Sequence, residues 1–264
     1  MHKMYEDFIN TNKNMWNVTA NIFEADGLQE ILARVQEKDF TTFDAVEEHI
    51  FKTEIHIQGK NIIQIACNSG AELIYLKKSG AANCLGIDIS EKFISAAKII
   101  AEAAAQEVTF ECTNIFEIDE KHFNKFHLVY ITVGVLGWMP DVQNLFDIAN
   151  KLLKRNGQLF LYEQHPILGM FNPKLPHIMD ASYFQTEPFA DEILPEYINK
   201  DMDSKELSYW FQHTLGAIFS ALISNNFEIR HFQEYAKDVG DTYKILEKEM
   251  AQLPMSFTLV ASKK

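Results

Sequence analysis

The segment Asn61–Ser90 constrains the fold of this chain more than any other stretch. It opens with a β-branched apolar run, Ile62–Ile65, continues through the small residues Cys67–Gly70, and then shows the apolar spacing of a helix. A second apolar run, Cys84–Ile87, ends in a single acid, Asp88. This order predicts a strand, a tight turn, a helix and a second parallel strand, which together form half of a nucleotide-binding βαβ unit.

The turn and the acid each predict a contact with a nucleotide. Small turn residues let backbone amides approach the ligand closely, and an acid roughly 20 residues further on can accept hydrogen bonds from both ribose hydroxyls. The turn holds one glycine, Gly70, whereas the dinucleotide fingerprint G-x-G-x-x-G holds three. An NAD(P)-dependent oxidoreductase is therefore the less favoured alternative.

Composition limits the size of the fold and the class of partner. The chain has 264 residues, of which 47% are hydrophobic, so it suits one large domain or one domain that carries an insertion. Its 24 basic and 37 acidic residues give a net charge of -13, which disfavours nucleic acids and anionic membranes as partners. No signal-peptide pattern or membrane-spanning stretch is present, so we expect a cytoplasmic protein.

The periodicity divides the chain into a cap and a main domain. Residues 1–58 are expected to form an N-terminal helical cap, with helices at Asn21–Gln36 and Thr42–Phe51. From residue 59 to 264, strands alternate with helices, including a helix at Asp141–Arg155. This alternation predicts an α/β fold: a Rossmann-like, seven-stranded, mostly parallel sheet with helices on both faces.

An irregular segment interrupts the alternation after the fifth strand. Five of the seven prolines lie between residues 166 and 203, together with several aromatic residues. Proline argues against regular elements, and the aromatic residues argue against disorder. We therefore expect an insertion at about 166–203 that covers one side of a pocket, followed by a helix at Ser204–Ser224.

The turn resembles motif I of the class I S-adenosylmethionine (SAM)-dependent methyltransferases. In the pattern E/D-x-G-x-G-x-G, Gln64 stands in the place of the acid, and Ala66, Asn68 and Gly70 stand in the places of the glycines. More narrowly, VYITVGVLGWMPD after the fourth strand, YEQHP after the fifth and YWFQHTLG beyond the insertion resemble a bacterial subgroup that methylates small molecules. The resemblance implies SAM as cofactor and a last strand that runs antiparallel to its neighbours.

The resemblance also implies roles for residues at the cofactor site. Asp88 would accept hydrogen bonds from the ribose diol, and Asn114 would accept one from the adenine amino group. Ile115 would offer its backbone amide to the adenine ring, and Ile89 would pack on the ring face. The remaining cofactor-binding candidates lie near the methionine portion or the sulfonium: Gln64, Ala66, Asn68, Gly70 and Thr132.

Candidates on the acceptor side follow strand five or lie in the covering segments. His165 and His213 are candidate general bases or hydrogen-bonding partners of the acceptor, because histidine titrates near neutral pH. Glu163 could orient a cationic amine or bind backbone amides at the strand's end. Trp16 and Tyr183 are expected in a cover over the acceptor. No spacing of His, Cys or Asp fits a metal site, so no metal is expected.

The sequence leaves the exact activity open. A SAM-dependent transfer of a methyl group to a small-molecule acceptor is favoured, and a SAM-binding protein without catalytic activity remains the alternative. Neither the identity of the acceptor nor the oligomeric state is predicted.

Overall fold

A computed structural model describes residues 2–192 and 206–264, with side chains from Tyr5 onward. Its centre is a seven-stranded sheet whose order along the hydrogen-bonded edge is β3-β2-β1-β4-β5-β11-β10. The strands of this sheet are β1 (Asn61–Ile65), β2 (Asn83–Asp88), β3 (Thr109–Cys112), β4 (Phe126–Ile131), β5 (Leu153–Gln164), β10 (Phe227–Tyr235) and β11 (Ser256–Lys263).

The first five strands are parallel, and β11 runs antiparallel to both of its neighbours, β5 and β10. The mostly parallel, Rossmann-like sheet predicted from the sequence is thereby confirmed, as is the antiparallel last strand. Since the parallel strands end at one edge, the residues that follow β1, β2, β3, β4 and β5 meet there.

Two hydrophobic clusters form from alternate residues of the strands. One cluster joins Ile63, Val129 and Leu161 to helices α7 (Val142–Leu152) and α8 (Leu215–Ser224). The other joins Ile62 and Leu128 to helices α4 (Ala71–Lys78) and α5 (Glu91–Ala103). Because consecutive side chains of a strand point to opposite faces, the two clusters lie on opposite faces of the sheet.

Local capping fixes where these helices begin. Ser90 Oγ accepts a hydrogen bond from Phe93 N at 3.2 Å at the start of α5, and Asp141 Oδ1 accepts one from Asn144 N at 2.9 Å at the start of α7. Helix α7 is therefore shorter than the predicted helix at Asp141–Arg155, because Asp141 is its cap and β5 already begins at Leu153.

The N-terminal segment is helical, but its boundaries differ from the prediction. Helix α1 (His2–Asp26) and helix α2 (Leu28–Arg34) meet at Gly27, so the single helix predicted at Asn21–Gln36 is wrong. A Cβ at position 27 would lie 2.8 Å from the ring of Phe23, so glycine allows the close approach of this ring at the break. Helix α3 (Ala45–Thr53) then starts at a capping box formed by Asp44 and Glu47.

The insertion contains short regular elements that the proline content did not predict. A 3-10 turn at Pro166–Met170 leads into a hairpin of β6 (Phe171–Asn172) and β7 (Leu175–Met179). Further on, β8 (Phe189–Asp191) pairs antiparallel with β9 (Ser208–Trp210). The predicted helix at Ser204–Ser224 is wrong for its first part, since β9 occupies 208–210 and α8 begins at Leu215. Residues 193–205, which include the end of the predicted insertion, lie outside the described residues.

Candidate functional site

The turn between β1 and α4 adopts backbone angles that favour glycine. Ala66 has φ 54°, Asn68 has φ 49° and Gly70 has φ 70°, so all three are left-handed. These are the positions at which the motif has its glycines, and asparagine tolerates this region better than most residues. A hydrogen bond from Cys67 N to the carbonyl of Ile87 (2.9 Å) ties the turn to β2.

Asp88 ends β2 and is bound to that turn. Its Oδ2 accepts a hydrogen bond from Asn68 N at 2.8 Å, and its Oδ1 accepts one from Ser90 N at 2.9 Å. Burial raises the pKa of this carboxyl group, and hydrogen bonds from the backbone of Ser90, Asn68 and Ile89 oppose that rise. Each oxygen keeps a lone pair with which it can accept a hydrogen bond from a ligand hydroxyl.

The residues after β3 continue the same edge. Asn114 caps a 3-10 turn, because its Oδ1 accepts a hydrogen bond from Phe116 N at 3.1 Å. This amide oxygen was expected to accept from adenine, and the cap leaves it one lone pair for that contact. Ile115 is buried and Ile89 is half-buried, and both line the same cavity as Asn114 and Asp88.

Gln64 and Thr132 meet at a carboxylate that sequence reasoning missed. Glu72, in the first turn of α4, accepts hydrogen bonds on Oε2 from the side-chain amide of Gln64 and from Thr132 Oγ1, the latter at 3.0 Å. Burial raises the pKa of Glu72. In sequence, an acid in the first turn of a helix looks like an ordinary helix-stabilising residue, so nothing marked it as a site residue.

These groups line one cavity of about 960 Å³ at the carboxyl ends of the parallel strands. Its far wall is aromatic, and the ring centroids of Trp16 and Trp138 lie 5.2 Å apart, while those of Trp138 and Trp210 lie 5.0 Å apart. Trp16 is therefore part of this aromatic wall. Helix α1, which carries Trp16, is tied to β9 by two hydrogen bonds between the Asn12 side chain and the Tyr209 backbone (2.9 and 2.7 Å).

Glu163 lines the cavity but binds backbone amides with both oxygens. Oε1 accepts from Gly134 N at 2.6 Å and from Gln164 N at 2.9 Å, and Oε2 accepts from Leu136 N at 3.0 Å. Burial raises the pKa of Glu163 to about 7. Of the two roles predicted for this carboxylate, the observed contacts match the binding of amides, which fixes the segment after β4.

The two candidate histidines also use ring nitrogens within the protein. His165 Nδ1 accepts a hydrogen bond from Ile167 N at 3.1 Å, and its Nε2 lies 3.0 Å from Glu234 Oε1. His213 Nε2 lies 2.7 Å from the carbonyl oxygen of Met139, to which it donates. Burial lowers the pKa of both imidazoles. Both residues line the cavity, but these contacts favour structural roles over proton transfer.

One tyrosine predicted for the acceptor side lies elsewhere. Tyr183 is absent from the cavity lining, and its hydroxyl accepts a hydrogen bond from Leu215 N at 3.0 Å, so its side chain supports the start of α8. Tyr243, between β10 and β11, lines the cavity instead and donates its hydroxyl proton to the carbonyl of Phe171 at 3.0 Å. No sequence motif marked Tyr243, because its position depends on how the chain between the last two strands packs.

Comparison with known proteins supports the resemblance. Residues 63–159 match the sequence profile of a methyltransferase domain. A ubiquinone biosynthesis O-methyltransferase of Coxiella burnetii (strain Dugway 5J108-111) is 31% identical over 158 residues, which are 60% of this chain and 63% of that protein. The chain thus contains a segment similar to a methyltransferase domain, and it is similar to an O-methyltransferase over part of both lengths.

Solved structures of methyltransferases share the fold. A Listeria monocytogenes protein assigned to the SAM-dependent methyltransferases superposes with a TM-score of 0.64 at 18% identity, covering 83% of this chain and 97% of that one. A SAM-dependent methyltransferase of Mesorhizobium loti superposes with a TM-score of 0.58 at 19% identity, covering 83% and 98% of the two chains.

The site residues fit SAM, the cofactor of the methyltransferases that this chain resembles. In the strand order β3-β2-β1-β4, Asn114 follows β3, Asp88 ends β2, the left-handed turn follows β1 and Thr132 follows β4. The residues suited to adenine, to ribose and to the methionine portion therefore succeed one another along the edge. The small side chain of Ala66 keeps the backbone of the turn accessible, whereas a Cβ at Gly70 would lie 2.5 Å from the ring of Phe110, so packing requires glycine there.

The described residues contain neither a metal-binding group nor a membrane-spanning helix. In residues 2–192 and 206–264, no group of three or more His, Cys, Asp or Glu side chains could hold a metal ion. No described helix combines the length and apolar character that crossing a membrane requires.

Proposed function

We propose that the protein transfers the methyl group of SAM to a small-molecule acceptor by in-line displacement. The order of groups along the sheet edge carries this proposal. With adenine at β3 and ribose at β2, the reactive end of the cofactor would point toward β4 and β5, on the side where aromatic residues line the cavity. Ligands of open α/β sheets bind at this edge.

The acceptor side of the cavity suits a small molecule with an apolar, flat body. Trp16, Trp138 and Trp210 supply aromatic faces, and Tyr243 and Gln212 add polar groups at its wall. Binding pockets of this kind combine apolar walls with a few polar groups that orient the ligand. The Coxiella burnetii relative is named for ubiquinone biosynthesis, which fits an acceptor with an aromatic ring.

The chain's own residues would position the reactants and exclude water. SAM supplies a sulfonium whose methyl carbon is already electrophilic. The acceptor's lone pair forms the new bond to carbon as the carbon–sulfur bond breaks, and the electron pair stays on sulfur to give S-adenosylhomocysteine (SAH). Asp88 and the turn would hold the cofactor, while Glu163 fixes the Gly134–Leu136 backbone beside it. Alignment of this kind accounts for a large share of such a rate enhancement.

Proton transfer is a separate question within this proposal. If the acceptor carries a proton, His165 would have to give up its contact with Ile167 N to accept that proton. His213 donates from Nε2 to the Met139 carbonyl, so its other ring nitrogen is the one that could accept a proton. Because burial lowers the pKa of both imidazoles, we assign both histidines to positioning of the pocket wall, with base catalysis as the alternative. Replacing each with Gln, and then comparing the pH profile of kcat, separates the two roles, because loss of a base changes the profile and loss of a positioning contact does not.

Ligand-dependent unfolding tests the cofactor and the activity in turn. SAM and SAH should raise the unfolding temperature, while NAD should not, because binding to the folded state alone stabilises it. Release of SAH from SAM in the presence of phenolic and other aromatic acceptors then tests transfer. A shift with NAD and none with SAM would favour an oxidoreductase. A shift with SAM without transfer to any small-molecule acceptor would favour a SAM-binding protein that is not an enzyme.

A further inference from the structure

Glu72 is a cavity-lining carboxylate with one oxygen left open. It lies two residues after Gly70, which caps α4 with φ 70°. Its Oε2 accepts from the Gln64 amide and from Thr132 Oγ1, whereas Oε1 takes no hydrogen bond from any residue in the described part of the chain. Two side chains from different strands thus hold the carboxylate while one oxygen is left for a ligand.

The hydrogen bonds of Glu72 are distributed differently from those of the two buried acids of the cavity, Asp88 and Glu163. Both oxygens of Asp88 accept from backbone amides, and so do both oxygens of Glu163. Of these three carboxylates, Glu72 alone has its hydrogen bonds on a single oxygen. It is therefore the carboxylate in this set best placed to receive a charged hydrogen-bond donor from a ligand.

Glu72 also lacks a positively charged partner. No Lys, Arg or His forms an ion pair with it among residues 5–192 and 206–264. A buried carboxylate without a cation is costly, so either it takes up a proton or a ligand cation compensates it. Gln64 cannot supply or neutralise charge, although it occupies the place of the acid in the motif.

We propose that Glu72 binds the ammonium group of the methionine portion of the cofactor, and that Gln64 and Thr132 position it for this contact. In the motif the negative charge comes from an acid on β1, where this chain has Gln64. Here Glu72, in the first turn of α4, would supply that charge instead. This inference rests on the proposed use of SAM. The location fits, because Glu72 follows β1, one strand beyond Asp88, and its partner Thr132 follows β4, two strands beyond Asp88, both on the side away from Asn114.

Ligands with and without the ammonium group test this assignment. SAH carries it, and 5′-methylthioadenosine keeps the adenosine and thioether but lacks the amino-acid portion. In calorimetry, Glu72→Gln should weaken SAH roughly 10-fold to 100-fold, the range for a hydrogen bond between charged groups, and leave 5′-methylthioadenosine within about twofold. Asp88→Asn serves as the comparison and should weaken both ligands, since both carry the ribose.

A ligand-only measurement keeps the test valid if Glu72→Gln fails to fold. With the wild-type protein, an SAH analogue that lacks only the amino group should bind about as weakly as SAH binds to the variant. If the Glu72→Gln variant folds, it should bind SAH and the analogue without the amino group with equal affinity. Equal losses for SAH and 5′-methylthioadenosine, or no loss for either, would overturn the role of Glu72. Failure of the wild type to bind SAH at all would instead overturn the proposed function.

Discussion

The backbone amide of Asn68 donates a hydrogen bond to Asp88 Oδ2 at 2.8 Å, across 20 residues of sequence. The left-handed turn after β1 and the acid at the end of β2 are therefore one unit. Because the amide holds the carboxylate in place, the ribose site proposed at Asp88 would be preorganised. Preorganisation of this kind strengthens binding by lowering the cost of ordering the site.

Replacement of Asp88 should weaken the cofactor more than it weakens the fold. We expect Asp88→Ala to reduce the affinity for SAM and SAH by roughly 2 to 3 kcal/mol, because hydrogen bonds to a charged group are lost. Isothermal calorimetry measures this, with circular dichroism to verify folding. Asp119, an exposed acid that caps a 3-10 turn, offers the matched control Asp119→Ala. Unchanged affinity in Asp88→Ala would contradict the ribose assignment.

The pH dependence of stability should carry the signature of Glu47. This buried carboxyl group accepts a hydrogen bond from the Tyr130 hydroxyl at 2.7 Å, and burial raises its pKa from 4.5 to about 8. Between those values the folded chain keeps a proton that the unfolded chain has released. The resulting stability is full below pH 4.5 and is lost as the pH rises to about 8, by at most on the order of 1.4 kcal/mol per unit of pKa difference.

In urea denaturation, the free energy of unfolding of Glu47→Gln should therefore change less with pH than that of the wild type. The difference should lie between roughly pH 5 and pH 8, the window set by the two pKa values. Glu48→Gln, at an exposed neighbouring position, should leave the profile as in the wild type. A Glu47→Gln profile that falls as steeply as that of the wild type would show that this carboxyl group does not hold the proton.

A second stability prediction concerns the contact between α6 (Val135–Trp138) and β9. A Cβ added at Gly137 would overlap the ring of Trp210, so Gly137→Ala should destabilise the protein by about 1–3 kcal/mol through overpacking. Gly216→Ala is the matched control, since its Cβ would lie 3.7 Å from the nearest atom, Thr214 Oγ1, and alanine favours a helix. Equal stability of the two variants in chemical denaturation would exclude a tight contact at Gly137.

The attachment of α1 is open to a direct test by hydrogen exchange. The Tyr209 amide donates to Asn12 Oδ1 at 2.7 Å, so Asn12→Ala should speed the exchange of that amide. If α1 and β9 cover the cavity together, SAH should slow hydrogen exchange less in the Asn12→Ala variant than in the wild type. Asn10→Ala, at an exposed position on the same helix, is the control. Exchange at Tyr209 that does not respond to Asn12→Ala would contradict the attachment.

Removal of metal ions should leave cofactor binding unchanged. The sequence offers no metal-ligand spacing, and methyl transfer from a sulfonium does not require a metal. Calorimetry of SAH binding before and after dialysis against a chelator measures this. Affinity that falls with the chelator and returns with magnesium or zinc would show that the prediction is wrong.

The sequence predicted which residues meet at the carboxyl ends of the strands better than it predicted which residues line the rest of the cavity. The edge depends on a short, local order of strand, turn, helix and acid, and the turn and Asp88 lie within 30 residues of each other. Glu72 escaped notice because its contact with Thr132 spans 60 residues, and no local pattern records such a contact. Tyr243 escaped for the same reason, since its partner Phe171 lies 72 residues away in sequence.

Part of the wall of the cavity comes from chain segments outside residues 63–159, the part that matches the methyltransferase profile. Trp16 lies before that range, and Phe171, Trp210 and Tyr243 lie after it, whereas Trp138 lies within it. The proposed cofactor edge and this part of the wall thus come from separable stretches of one gene. Exchange of the wall segments between homologues would change which acceptor enters while the cofactor edge stays intact. New acceptor preferences are therefore accessible to this scaffold by recombination as well as by point mutation.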